Sequence, residues 1–151
     1  MFMDDHYPNP WNFSNSDNNL TSFDGQYKIE YGDLVEIGMG APIAGQCFLT
    51  TKNDLKILLN KWCGGPIAWE KKNNKVALPI WTRKFLKGTV QQIAIADIDK
   101  RNVTIYSPTF RVLYLQKFDN NKIYGLDSPI YKTKSLDLNI SEMQIDKTID
   151  F

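Results

Sequence analysis

A single, β-dominated antiparallel domain is what this sequence predicts, and three observations predict it. Apolar and polar residues alternate through most of the chain, broken by turn-forming clusters at hairpin spacing. Only one stretch has helical spacing. No crossover helix separates one strand from the next, as a parallel sheet would require. Meander, sandwich and half-open barrel all satisfy this pattern, with at most one short helix. The 151 residues suit one hydrophobic core. A hydrophobic fraction of 42% with 23% charged residues is that of a folding chain.

Residues 1–24 read as a flexible polar arm. Asn9, Asn12, Asn15, Asn18 and Asn19 stand among Ser, Asp and Pro without apolar periodicity. Tyr7, Trp11 and Phe13 are anchors within it, for docking on the chain's own domain or on a partner. The β-rich domain spans residues 25–140. Tyr27, Ile29 and Tyr31 alternate with Lys28 and Glu30 as in a half-buried strand. Gly38-Met39-Gly40-Ala41-Pro42 turns into a second strand over Ile43–Thr50. The one helix is expected at Asn53–Trp62, where Leu55, Leu58, Leu59 and Trp62 share a helical face and Asn53 or Asp54 caps the start. An irregular strand is the alternative there.

From Pro66 the strand signal strengthens. Ala68 and Trp69, the turn Glu70–Lys75, and Val76–Thr82 form a hairpin, with Pro79 marking an edge or a bulge. Thr89–Ala96 turns through Asp97–Asn102 into Val103–Tyr106. Phe110–Phe118 carries apolar groups on both faces and reads as a central strand. Ile123–Leu126 and Leu136–Ile140 follow, and residues 141–151 read as a loosely held tail.

The stretch 65–107 resembles one blade of a WD40-like or TolB-like propeller. Pro66-Ile67-Ala68-Trp69, Lys75-Val76-Ala77-Leu78 and Ile93-Ala94-Ile95-Ala96-Asp97 carry the resemblance. It covers less than a third of the chain, and no internal repeat supplies further blades, so no function comes with it.

Charge is polarised although the net value is only +1. Up to Thr51 there is one basic residue against seven acidic ones, and from Lys52 to Arg101 eleven against four. The two poles either pair within the fold or each face a partner. Cys47 and Cys63 are too few for a disulfide framework or a zinc spacing. Cys47 is expected buried and Cys63, beside Gly64 and Gly65, more accessible. The chain opens without a secretory pattern and has no apolar run near the roughly 18 residues that span a bilayer. A reduced, cytoplasmic protein without a membrane partner is the expectation.

Catalytic chemistry has little to draw on. His6 is the only histidine and lies in the arm, where no fixed imidazole is expected. Asp97 and Asp99, with Asp127, could ligate a cation for a hydrolase, but Asp97–Lys100 also has turn composition. Gly38-Met39-Gly40 lacks the Gly-Lys-Ser/Thr ending of a phosphate loop. No cofactor is expected.

Binding is better served. Trp69 and Trp81 lie among Lys71, Lys72, Lys75, Arg83, Lys84 and Lys87, a cation–aromatic mixture that suits a partner surface. Val76–Thr82 spans only about 20 Å, so its two flanking basic groups are expected to share one rim. A non-enzymatic domain that masks another protein is the leading expectation. The Asn-, Lys-, Ile- and Asp-heavy usage and the small size are similar to those of bacterial immunity proteins, which implies a toxin as partner. The second expectation is a nucleic-acid-binding β-domain, in which cations track phosphates and rings stack on bases. An aspartate-dependent hydrolase is the third.

Overall fold

The computed structural model describes residues 7–151. Twelve strands occupy them: β1 (Tyr27–Tyr31), β2 (Val35–Glu36), β3 (Ile43–Thr51), β4 (Lys56–Cys63), β5 (Ala68–Trp69), β6 (Lys75–Lys84), β7 (Gly88–Asp97), β8 (Asn102–Tyr106), β9 (Leu113–Asp119), β10 (Lys122–Asp127), β11 (Lys134–Asn139) and β12 (Ile145–Asp150). Helix is limited to two three-residue 3-10 turns, Asn18–Leu20 and Ile140–Glu142. The fold is mainly β and antiparallel, not closed into a barrel, and forms one small domain.

One sheet runs β1-β3-β4-β6-β7-β8-β12, with β2 attached to β3 and β5 to β6. A second has the order β11-β10-β9. The hairpin β6–β7 lies between two cores, and its sequence shows why. On one face Val76, Leu78, Ile80, Ala94 and Ala96 join Phe13, Leu20, Ile29, Cys47, Leu49 and Trp69. On the other, Ala77, Ile93 and Ile95 join Leu113, Leu115, Phe118 and Ile123 of the small sheet. A strand covered on both sides needs apolar residues at odd and even positions alike, and this hairpin has them.

The expected helix at Asn53–Trp62 is instead the turn and strand β4. Asp54 N–H donates to Thr51 O (3.0 Å) and Thr51 N–H to Leu55 O (3.1 Å), so the supposed cap residues make a hairpin turn, with Asp54 at φ 61°. Two irregularities in the β3–β4 register lie between Gly45 and Phe48. They displace the alternation, leaving Leu59 and Cys63 buried at a spacing that imitates a helix. A ten-residue helix is marginal alone, whereas pairing with β3 satisfies the backbone.

Pro79 is neither at an edge nor in a bulge. Along β6 the neighbour changes from β5, at Val76 and Ala77, to β4, at Ile80. Pro79 falls in the gap, where a ladder donor is not needed. Its carbonyl accepts from Gly64 N–H (2.7 Å) and from Gln91 Nε2 (3.2 Å). Residues 110–118 do not form a central strand either. Phe110 only bridges Gln91, and β9 is the edge of the small sheet, bulged opposite Tyr124 and Gly125.

Both ends of the described chain are more firmly held than their composition implies. Phe13 and Leu20, each 1% exposed, belong to the core, and Phe13 meets the Tyr31 ring at 4.9 Å. Asn15 both donates to Tyr31 O and accepts from Tyr31 N–H, at 2.9 and 2.8 Å. Residues 7–24 are therefore a packed segment. The tail expectation for 141–151 is corrected as well: β12 pairs with β8 over Ile145–Asp150, and Phe151 N–H donates to Arg101 O (3.0 Å).

Candidate functional site

The expected partner surface does not assemble as one patch. Trp69 and Trp81 are both buried. Trp69 Nε1 donates to Leu20 O (2.9 Å), and Trp81 lies tilted against Trp62, with ring centroids 6.3 Å apart. Each indole keeps only about 5% of its surface exposed, too little to stack on a base. Lys71, Lys72 and Lys75 sit at the β5–β6 turn, while Arg83, Lys84 and Lys87 sit at the β6–β7 turn. The ten residues of β6 separate them by about 30 Å at the usual strand rise. The shared rim does not exist, because β6 continues two residues past the expected strand and is extended throughout.

Two features remain where sequence reasoning saw one. The first is an open cleft of about 970 Å³. One wall is Pro66, Ile67, Ala68, Trp69 and Lys71, and the opposite wall is Tyr114–Phe118 of β9. The walls meet at the bridge between Glu70 and Phe118. Buried Glu70 secures that meeting point: one carboxylate oxygen accepts from Asn73 Nδ2 (2.7 Å) and the other from Asn121 N–H (2.9 Å). The packed N-terminal segment forms the rim, where Asn19 Nδ2 donates to Ile67 O (3.1 Å) and Tyr114 Oη donates to Pro8 O (2.9 Å). Tyr7 and Phe23 stand exposed at the mouth, and Asn19 Oδ1 is buried without a partner. Beyond β10 no strand pairs with β9 among the described residues.

The second is the end of the β6–β7 hairpin. Thr82–Lys84 and Gly88–Val90 pair only with one another. Phe85 and Leu86, at the apex, are 91% and 90% exposed. Arg83 lies over the Trp62 ring (5.8 Å), Lys84 reaches Asp146 (3.4 Å) and Lys87 Nζ donates to Thr109 Oγ1 (3.2 Å). Asp146 is held below its usual carboxylate range, first by the Gln92 amide (3.2 Å) and then by the Lys84 charge. From the sequence the Arg83–Lys87 segment is expected to be exposed for its cations, and Phe85 and Leu86 within it are not singled out.

The remaining candidates resolve into structural roles. Asp97 Oδ1 accepts from Lys100 N–H (3.1 Å), the turn role of an aspartate. Asp127 Oδ1 accepts from the Arg111 and Val112 N–H groups, at 3.0 and 3.2 Å. Among the described residues no three His, Cys, Asp or Glu side chains gather to hold a metal. Gly38–Ala41 is a turn, closed by Ala41 N–H on Gly38 O (3.0 Å). His6 lies outside the described residues. Cys63 is not accessible: both thiols are free and buried, and Cys63 donates to Gly64 O (3.3 Å). Burial, then the neighbouring Cys47, pushes the Cys63 thiol well up, so it stays protonated and a poor nucleophile.

Comparison with protein-family models, with curated proteins and with solved structures finds no match for this chain. No helix among the described residues is long and apolar enough to cross a membrane.

Proposed function

We propose that the domain is a non-enzymatic protein-recognition module whose cleft receives an extended segment of another protein. The observation that carries this reading is the juxtaposition of a 970 Å³ cleft with residues 115–117 of β9, whose outer side no further strand pairs among the described residues. A strand edge offers a row of backbone donors and acceptors, and an incoming extended segment matches them without regard to its side chains. Specificity then comes from Phe23, Tyr7 and the Asn18–Asn19 rim. The compositional likeness to immunity proteins makes masking of a toxin the concrete form of the reading. Two free, buried thiols support a reducing, cytoplasmic setting.

Panning a displayed library of random linear peptides on the domain tests this. The expected outcome is enriched peptides that slow amide exchange at residues 115–117 and lose binding in the double variant Phe23→Ser, Gln116→Pro. No enrichment, or binding indifferent to both substitutions, overturns it. A second reading, single-stranded nucleic acid in the same cleft, is favoured by Lys71 and Lys117, which line the cleft together with the exposed Phe23. It predicts binding of labelled oligonucleotides that weakens steeply with salt, and the absence of binding at low salt removes it.

A further inference from the structure

Turn chemistry sets the β6–β7 apex apart from the β9–β10 turn. Where the β9–β10 turn requires positive φ, it places Asn120 and Asn121, at 50° and 64°, the residue type that tolerates this region. The β6–β7 turn also requires it, yet places Leu86 there at φ 67°, before Gly88 at 77°. Lys87 N–H closes the turn on Lys84 O (3.1 Å). A bulky apolar residue in the left-handed region, next to an almost fully exposed phenyl ring, contributes nothing to the fold. Folding alone favours Asn or Gly at this position.

The apex is convex rather than a groove, and its charge has one sign. From Thr82 to Gly88 the segment carries Arg83, Lys84 and Lys87 and no acidic residue. Among the described residues only Lys84 of these three has an acidic partner, the exposed contact with Asp146. A protein partner would have to offer a pocket shaped for two adjacent apolar side chains. A bilayer surface needs no such pocket, because headgroups part around a protruding tip and anionic ones attract the flanking cations.

We propose that the Phe85–Leu86 apex of the β6–β7 hairpin is a peripheral docking tip for an anionic lipid surface, with Arg83, Lys84 and Lys87 at the headgroup level. The two apolar side chains enter the headgroup–acyl boundary while β6 and β7 stand away from it. The site lies outside the cleft and does not depend on what the cleft binds.

Co-sedimentation of the full chain with vesicles of phosphatidylcholine and phosphatidylserine in equal parts tests this, beside vesicles of phosphatidylcholine alone. At low salt the protein should partition onto the mixed vesicles at least about tenfold more strongly than onto the neutral ones. The double variant Phe85→Ser, Leu86→Ser should lose about tenfold or more of that partitioning while keeping its thermal midpoint. In a Phe85→Trp variant, indole emission should shift to the blue on mixed vesicles only. Failure of the full chain to bind the mixed vesicles overturns the proposal, as does a double variant that binds as well as the parent. Self-association that the double variant abolishes, without vesicle binding, assigns the tip to a second copy and overturns it too.

Discussion

The segment 7–24 and the end of the β6–β7 hairpin contain the same kind of side chain in opposite circumstances. Phe13, set among Asn, Ser and Asp, is 1% exposed, whereas Phe85, flanked by strongly patterned strands, is 91% exposed. Local hydrophobicity would rank them the other way. The difference is whether a second layer arrives. Phe13 lands between Tyr31 and the close backbone of Gly65, where a Cβ would stand 2.6 Å from the ring. The hairpin end extends past β8, and nothing among the described residues covers the Phe85–Leu86 apex. Burial here is a property of what the chain brings near, not of the segment's own composition.

Removing the first region should have the largest effect. A chain starting at Gly25 loses Phe13 and Leu20 from the main core and exposes Trp69 Nε1, whose acceptor is Leu20 O. Cooperative urea unfolding should disappear, and a sharp transition in that chain would show the segment to be only docked.

The single substitution Phe13→Ala comes next. The ring is enclosed, so the cost should be about 3–5 kcal/mol, the usual range for deleting a buried phenyl group. A shift in urea midpoint worth less than about 1 kcal/mol would mean that the site collapses around the gap.

Asp146→Asn probes how the hairpin end is tied to β12, and its effect is smaller. The folded carboxyl titrates below its ordinary value of 3.8, so its stabilisation is present above that pH and fades as pH falls through the folded value. The contact is partly solvated, so the variant should lose about 0.5–1 kcal/mol near pH 6. The two proteins should converge once the pH lies below the folded value, where the carboxyl is protonated in both states. A gap between their urea midpoints that persists at low pH would place the effect elsewhere than in the charge.

Phe85→Ser with Leu86→Ser should change stability least, by no more than about 0.5 kcal/mol. A clear loss of thermal midpoint would show that the apex packs in solution and is not free for a partner.

Strand positions were largely legible because alternation is a local code. Tyr27–Tyr31, Val76–Thr82, Thr89–Ala96 and Val103–Tyr106 all fall inside observed strands. The site was legible only in fragments. Lys71 lies on the cleft and Arg83, Lys84 and Lys87 at the hairpin end, but Trp69 and Trp81 turned inward. An indole has a polar atom that asks for a partner, and only the fold could show Trp69 Nε1 finding Leu20 O, 49 residues away. The cleft itself was invisible, since its walls come from residues 66–71 and 114–118, joined by one bridge.

By itself the sequence determined the β class, the course of strands such as Tyr27–Tyr31 and Thr89–Ala96, and turns such as Asp97–Asn102, since period-2 patterning and turn chemistry act within a few residues. Tertiary structure alone decided that Lys56–Cys63 is strand, that the polar N-terminal segment supplies core, and that Phe85 and Leu86 stay bare. Each of those outcomes depends on a layer contributed from far along the chain: β3 for β4, Tyr31 and Gly65 for Phe13, and none for the hairpin apex. Backbone pairing and apolar burial reward contacts wherever they form, and sequence distance does not enter.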